Sequence, residues 1–159
     1  MDYTVRAANE GDYSWILETI RGWGADFIVS RGRKIYAAEL PALIAEDEGG
    51  GKVGLITYEI IGDSCEVVTL DAFVKFSGIG TSLLERAADA AREAGCERLW
   101  LITTNDNFDA IRFYQRRGMT IAAVHVGAIA ESRKLKPSIP EIGETGIPIR
   151  DEIVFELTL

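Results

Sequence analysis

The chain has 159 residues, with 17 Lys and Arg against 25 Asp and Glu and a formal net charge of −8. That balance argues against a nucleic-acid partner, because phosphate backbones are met by clustered Lys and Arg. No apolar run is long enough to cross a bilayer and no charged start precedes an apolar core, so the expectation is no membrane partner and a cytoplasmic location. A length of this order fits a single domain over residues 1–159, able to bury ~70% of its unfolded surface without staples. Cys65 and Cys96 have no metal or redox spacing and read as small buried hydrophobes.

Residues 3–7 read as an edge or near-edge strand, and Asn9 or Asp12 is placed to cap the helix after it. That helix sets Trp15, Ile16 and Ile20 toward a core and runs out at Gly22 or Gly24. Trp23, Phe27, Ile28, Val29, Arg31, Arg33 and Tyr36 then mix aromatic and basic residues without a period. Such a mixture forms either the wall of a ligand pocket, which a later acceptor would use, or a loop-rich packing patch. Residues 40–45, opened by Pro41, read as a strand, 46–51 as a hairpin turn, and 53–61 as a strand covered on both faces.

The apolar run at residues 67–73 breaks into a Gly-containing turn and restarts as a helix. Ile79, Leu83, Leu84, Ala87, Ala88 and Ala91 recur at three- and four-residue steps, with Glu85, Arg86, Asp89, Arg92 and Glu93 opposite, up to Gly95. Gly78 and Gly80 let the backbone turn sharply and bring N–H groups close to a ligand, and a helix N-terminus adds partial positive charge. Such an end binds phosphate. Lys75 adds a cation, and Thr81 and Ser82 add hydroxyls. The same glycines also serve a plain strand-to-helix turn. The dinucleotide fingerprint is excluded because Leu83 stands where its third small residue belongs, and no Gly-Lys-Ser/Thr follows for a P-loop.

Residues 97–104 form another buried strand, followed by a helix that Asn105 or Asp106 can cap and Gly118 stops, with Arg116 and Arg117 at its negative end. Asn107 and Tyr114 stand seven apart, about two turns, with Ala110 between them. They form one wall of a groove, or else Asn107 belongs to the cap and Tyr114 packs with its hydroxyl wet. A strand at 120–126, a long Pro and Gly connection at 133–148 and a last strand at 149–157 complete the chain. The order predicts an α+β fold with a mixed sheet and flanking helices, in which the crossover helix makes the fourth and fifth strands parallel.

The run Lys75-Phe76-Ser77-Gly78-Ile79-Gly80 resembles the pyrophosphate loop of the GNAT superfamily, the acyl-CoA-dependent N-acetyltransferases, with Lys75 where Arg or Gln is usual and Phe76 where Gly is frequent. Asn107, Ala110, Phe113, Tyr114 and Gly118 match the family's second signature in register, with Met119 in place of its Phe. The resemblance implies a GNAT-like, mostly antiparallel sheet whose fourth and fifth strands splay apart, with acetyl-CoA as co-substrate and no metal. Its pantetheine would pair with Leu70, Asp71 and Ala72. Its pyrophosphate would lie on the amides of residues 76–81, beside Lys75, Ser77, Gly78, Ile79, Gly80, Thr81 and Ser82. Asn107, on the stripe that carries Ala110, would bond the pantetheine arm, and Tyr114 would sit near the sulfur.

The implied reaction is direct attack by a primary amine of a small molecule or peptide in a ternary complex. The alternative is a CoA-binding sensor without turnover. An alkylammonium of pKa ~10 is about a thousandth deprotonated at pH 7, a handicap of roughly 4 kcal/mol unless a base helps. Glu66 is the first candidate, read by strand alternation onto the face of Val68, Leu70 and Ala72; Asp71 is the second, with Glu59 and His125 behind them. Tyr114 is the candidate acid for the leaving thiolate. Residues 133–148 serve as an acceptor wall, a surface excursion or a homodimer contact.

Overall fold

A computed structural model describes residues 2–159. In chain order the elements are β1 (Tyr3–Ala7), α1 (Tyr13–Arg21), β2 (Ile28–Ser30), β3 (Arg33–Ile35), β4 (Ala42–Asp47), β5 (Lys52–Ile61), β6 (Ser64–Ala72), α2 (Ile79–Glu93), β7 (Arg98–Thr104), α3 (Phe108–Arg116), β8 (Thr120–His125), α4 (Ala128–Leu135) and β9 (Glu152–Thr158). Seven strands make one sheet in the order β1-β4-β5-β6-β7-β9-β8, and β2 and β3 pair only with each other. Every pairing is antiparallel except β6 with β7. The predicted α+β architecture, with α2 as the crossover between parallel strands, is the observed one.

Both faces of the sheet are covered. On one, α2 lays Ile79, Leu83, Leu84, Ala87, Ala88 and Ala91 against Ile56, Cys65, Val67, Leu99 and Phe155. On the other, Ile16 and Ile20 of α1 pack with Ile44 and Leu55. Adjacent Leu55 and Ile56 thus serve opposite cores, which is why β5 reads as an unbroken apolar run. Gly54 lets α2 sit close: a Cβ there would lie 2.6 Å from Ile79 Cγ2 and 3.0 Å from Leu83 Cδ1.

The sequence reading missed the β2/β3 hairpin and α4. Arg31 (φ 52°) and Gly32 (φ 76°) make the two-residue hairpin turn. Its strands, three residues each, are too short to display a period of two. The eight residues of α4 bury Ile129 and Ser132 but are too few to show a helical stripe, so the predicted 133–148 connection becomes residues 136–151. The last strand starts at Glu152 rather than 149. Asn105 takes the intervening backbone instead: its Oδ1 accepts from the amides of Arg150 and Asp151, both at 3.0 Å, and its Nδ2 donates to the Pro148 carbonyl at 3.0 Å.

A β-bulge corrects the predicted facing of β6. Thr57 stands opposite Thr69 but Tyr58 stands opposite Val67, so Val68 has no partner and alternation restarts after it. Leu70 and Ala72 therefore pack toward α2. Glu66 shares the α1 face with Val68 and, because Asp71 pairs with Leu55, with Asp71 as well. Simple alternation puts Glu66 with Leu70 and Ala72; the inserted residue moves them to opposite faces.

Candidate active site

β6 and β7 pair through only three residue pairs, Ser64 with Arg98, Cys65 with Leu99 and Glu66 with Trp100. Beyond Glu66 they part. β6 continues to Ala72 on β5, and β7 continues to Thr104 on β9. The bulge bends β6 at the point of separation. Residues 67–72, including Leu70, Asp71 and Ala72, keep an edge with no strand on the β7 side, and an unpaired edge is a ready template for an extended ligand.

The Gly loop stands at the far end of this wedge. Gly78 takes φ 81° as the residue before α2, and Gly80 fits under the Phe113 ring, where a Cβ would lie 3.2 Å from Cζ. The amides of Gly78, Gly80 and Thr81 find no acceptor among the described residues, leaving the N-terminus of α2 electropositive. Lys75 is exposed beside it. Two of the predicted hydroxyls are occupied in holding the turn. Ser77 Oγ donates to the Val74 carbonyl at 2.7 Å, and Ser82 Oγ meets Tyr3 Oη at 2.6 Å. Arg117 is the cation that sequence reasoning left at the helix end. Its Nε donates to Thr81 Oγ1 at 2.8 Å and its guanidinium lies 3.9 Å from the Phe113 ring centroid. The Phe113-to-Arg117 spacing of four was the signal for it.

On α3, Asn107 is the cap: its Oδ1 accepts from the Ala110 amide at 3.2 Å. Neither Asn105 nor Asp106 caps, since Asp106 instead accepts from the Thr104 hydroxyl at 2.6 Å. Tyr114 packs edge-on to Phe113 at 5.4 Å and beside Phe155 at 6.0 Å between centroids. Burial, with a contribution from the Asp71 charge, pushes its phenol up to about 12. Asp71 is itself pushed upward by burial. Tyr114 and Asp71 thus stand within electrostatic reach of each other across the wedge.

On the α1 face, where β6 and β7 separate, a cavity of about 190 Å³ opens between β2, β6, β7, α4 and residues 139–149. Glu66, 5% exposed, faces it and accepts from Ser30 Oγ at 2.6 Å, with Arg33 Nη2 3.9 Å from its other oxygen. Burial raises its pKa, the Ser30 bond and Arg33 opposing. Glu59 is held by Arg33 at 3.2 Å. His125 ends β8 opposite Glu152 and meets the Arg31 guanidinium through Nε2. The aromatic and basic stretch divides between a cavity wall and a packing patch. Ile28, Val29 and Ser30 wall the cavity, and Phe27 packs against Tyr36 at 6.0 Å under Lys34.

Residues 22–119 match the model of the Acetyltransferase (GNAT) family. The chain belongs to that family. Uncharacterized protein YdhI of Bacillus subtilis (strain 168) is 46% identical over 133 residues, which span 84% of this chain and 83% of that protein. An IAA acetyltransferase from Bacillus cereus ATCC 14579 shares the fold at a TM-score of 0.77 and 20% identity, over 99% of this chain and 100% of that one. A GNAT family acetyltransferase from Elizabethkingia anophelis, solved with acetyl-CoA bound, shares it at 0.71 and 19% identity, over 99% and 98%. In this GNAT chain, Phe76 takes φ 57° and is fully exposed, a left-handed conformation that the more frequent Gly would hold without strain. Met119 is 2% exposed and fills the core position of the expected Phe, as an adaptable thioether can.

Proposed function

We propose that the chain transfers an acetyl group from acetyl-CoA to a primary amine, with both substrates bound at once, as a single-domain cytoplasmic enzyme. The observation that carries this reading is the parting of β6 and β7 after Glu66, with free amides at one end of the gap and a half-buried phenol along it. The fit is chemical as well as geometric. An extended amide-bearing arm can add to the open edge of residues 67–72, and the amides of Gly78, Gly80 and Thr81, with Lys75 and Arg117, suit a pyrophosphate.

Acetyl-CoA supplies an activated thioester. Glu66, facing the acceptor cavity, takes a proton from the incoming ammonium, directly or through water, with Asp71 as the second candidate. An N–C bond forms as the C–S bond breaks. Tyr114 keeps its proton at neutral pH from the ordinary phenol pKa near ~10, which burial raises further, and donates it to the departing sulfur. The oxyanion takes a backbone N–H from the β6 edge.

Free thiol release from acetyl-CoA across a panel of amines tests the proposal. Thiol release that depends on the amine is expected. Tight CoA binding with no release for any acceptor would replace the enzyme with a CoA sensor.

A further inference from the structure

Glu152 is a second buried carboxylate in the acceptor cavity, and no role has been assigned to it. It opens β9, is 3% exposed and lines the cavity with Glu66. Its Oε1 accepts from Ser132 Oγ at 3.1 Å, while Oε2 has no hydrogen-bond partner. Glu66 is used the same way: Oε2 accepts from Ser30, and Oε1 has only Arg33 at 3.9 Å. No sealed side-chain oxygen lacks a partner among the described residues, so each free oxygen is open to solvent, in a residue that lines the cavity. The two carboxylates are close enough for the charge of one to bear on the other. A buried carboxylate with an empty lone-pair side calls for a cation or donor.

The rest of the lining is mainly aliphatic, with Ile28, Val68, Ile102, Ile129, Ile139 and Ile149 around the acids. At about 190 Å³ the space is below the ~300–1,000 Å³ of drug-sized ligand sites. At ~30 Å³ per water it has room for about six, hence for an acceptor of about six non-hydrogen atoms. Ile139 and Ile149 line one side of it, their segment pinned by Arg133 Nη2 to the Pro140 and Ile149 carbonyls at 2.7 and 2.6 Å.

Resting on the acetyltransferase reading above, we propose that the acceptor is a compact aliphatic diamine, one ammonium held by Glu152 while the other reacts beside Glu66. Atoms and charge balance. The reacting ammonium loses one proton to Glu66 and then solvent, gains the acetyl carbon as the C–S bond breaks, and its second lost proton is matched by the one that ends on the thiol. The ammonium at Glu152 is unchanged.

The full chain is assayed for thiol release with 1,4-diaminobutane, 1-aminobutane and a free-amine hexapeptide. A diamine kcat/KM at least tenfold above the monoamine is expected, with the peptide lowest. Glu152→Gln should raise the diamine KM about tenfold, erase the gap to the monoamine and leave acetyl-CoA binding intact, with kcat changed less than threefold. Equal use of mono- and diamine, a preferred peptide, or a gap that survives Glu152→Gln overturns the proposal. If acetyl-CoA binds and nothing turns over, the enzymatic reading fails separately, and calorimetric titration with 1,4-diaminobutane then decides. Saturable binding lost in Glu152→Gln supports the diamine site, and no binding overturns it.

Discussion

At the residue scale, the proposed acid and the proposed base are shifted in the same direction by the same cause, burial. Tyr114 and Glu66 both have raised pKa values, chiefly from desolvation. The phenol, protonated at neutral pH in any case, becomes a weaker acid, and the carboxylate becomes a stronger base. Tyr114→Phe is expected to lower kcat by about 10²-fold, the smaller end of acid catalysis, with little change in acetyl-CoA KM. Its linkage to folding has a definite sign. The folded phenol ionises near 12 and the unfolded one near ~10, so stability is full below pH 10 and falls as pH rises toward 12. Denaturation midpoints between pH 8 and 11 should fall less steeply in Tyr114→Phe. Asp12 runs the other way. Hydrogen bonds from Arg6 at 2.7 and 2.9 Å, with Lys52 at 3.2 Å, hold its carboxyl well below the usual range despite burial. Its contribution is full above pH ~4 and is lost as pH falls below that. Asp12→Ala should cost about 2–3 kcal/mol in a urea titration, since half-exposed Arg6 still finds water.

At the scale of elements, the helices were legible where they were long and amphipathic. The stripe of Ile79, Leu83, Leu84, Ala87, Ala88 and Ala91 is buried as its spacing requires. The short pieces were not, because three or eight residues hold too little of any period. The bulge at Val68 was equally silent, for an inserted residue changes no composition but reverses every facing after it. The seat of α2 depends on Gly54, so Gly54→Ala should overpack against Ile79 and Leu83 and cost about 1–3 kcal/mol, read as a lower midpoint in urea. At the same N-terminal end of α2, Arg117→Ala removes a cation held over Phe113 and Thr81. About a tenfold weaker acetyl-CoA Kd is expected, with the loss shrinking as salt is raised.

At the scale of the whole molecule, the proposed site is made where pairing stops. Seven strands are joined edge to edge, and among the described residues an interior seam opens between the two motif-bearing segments. The β2/β3 hairpin, α4 and residues 139–149 then enclose the far face. Arg133→Ala, which frees the Pro140 and Ile149 carbonyls, should lower stability by about 2 kcal/mol and raise the amine KM several-fold while acetyl-CoA KM holds. A matching rise in acetyl-CoA KM would mean that the segment supports the wedge instead.

The sequence by itself determined the local conformations: a glycine turn ahead of an amphipathic helix, an Asn-to-Tyr helix, and the strand count of the main sheet. Each of these is written in neighbours a few residues apart, whose sterics and periodicity need no partner. Only the tertiary structure decided that β6 and β7 separate after Glu66, that Asp71 turns to the same face as Glu66, and that Glu152 joins it at one cavity. Those facts depend on register between strands far apart in the chain, and register is set by packing on both faces of the sheet at once.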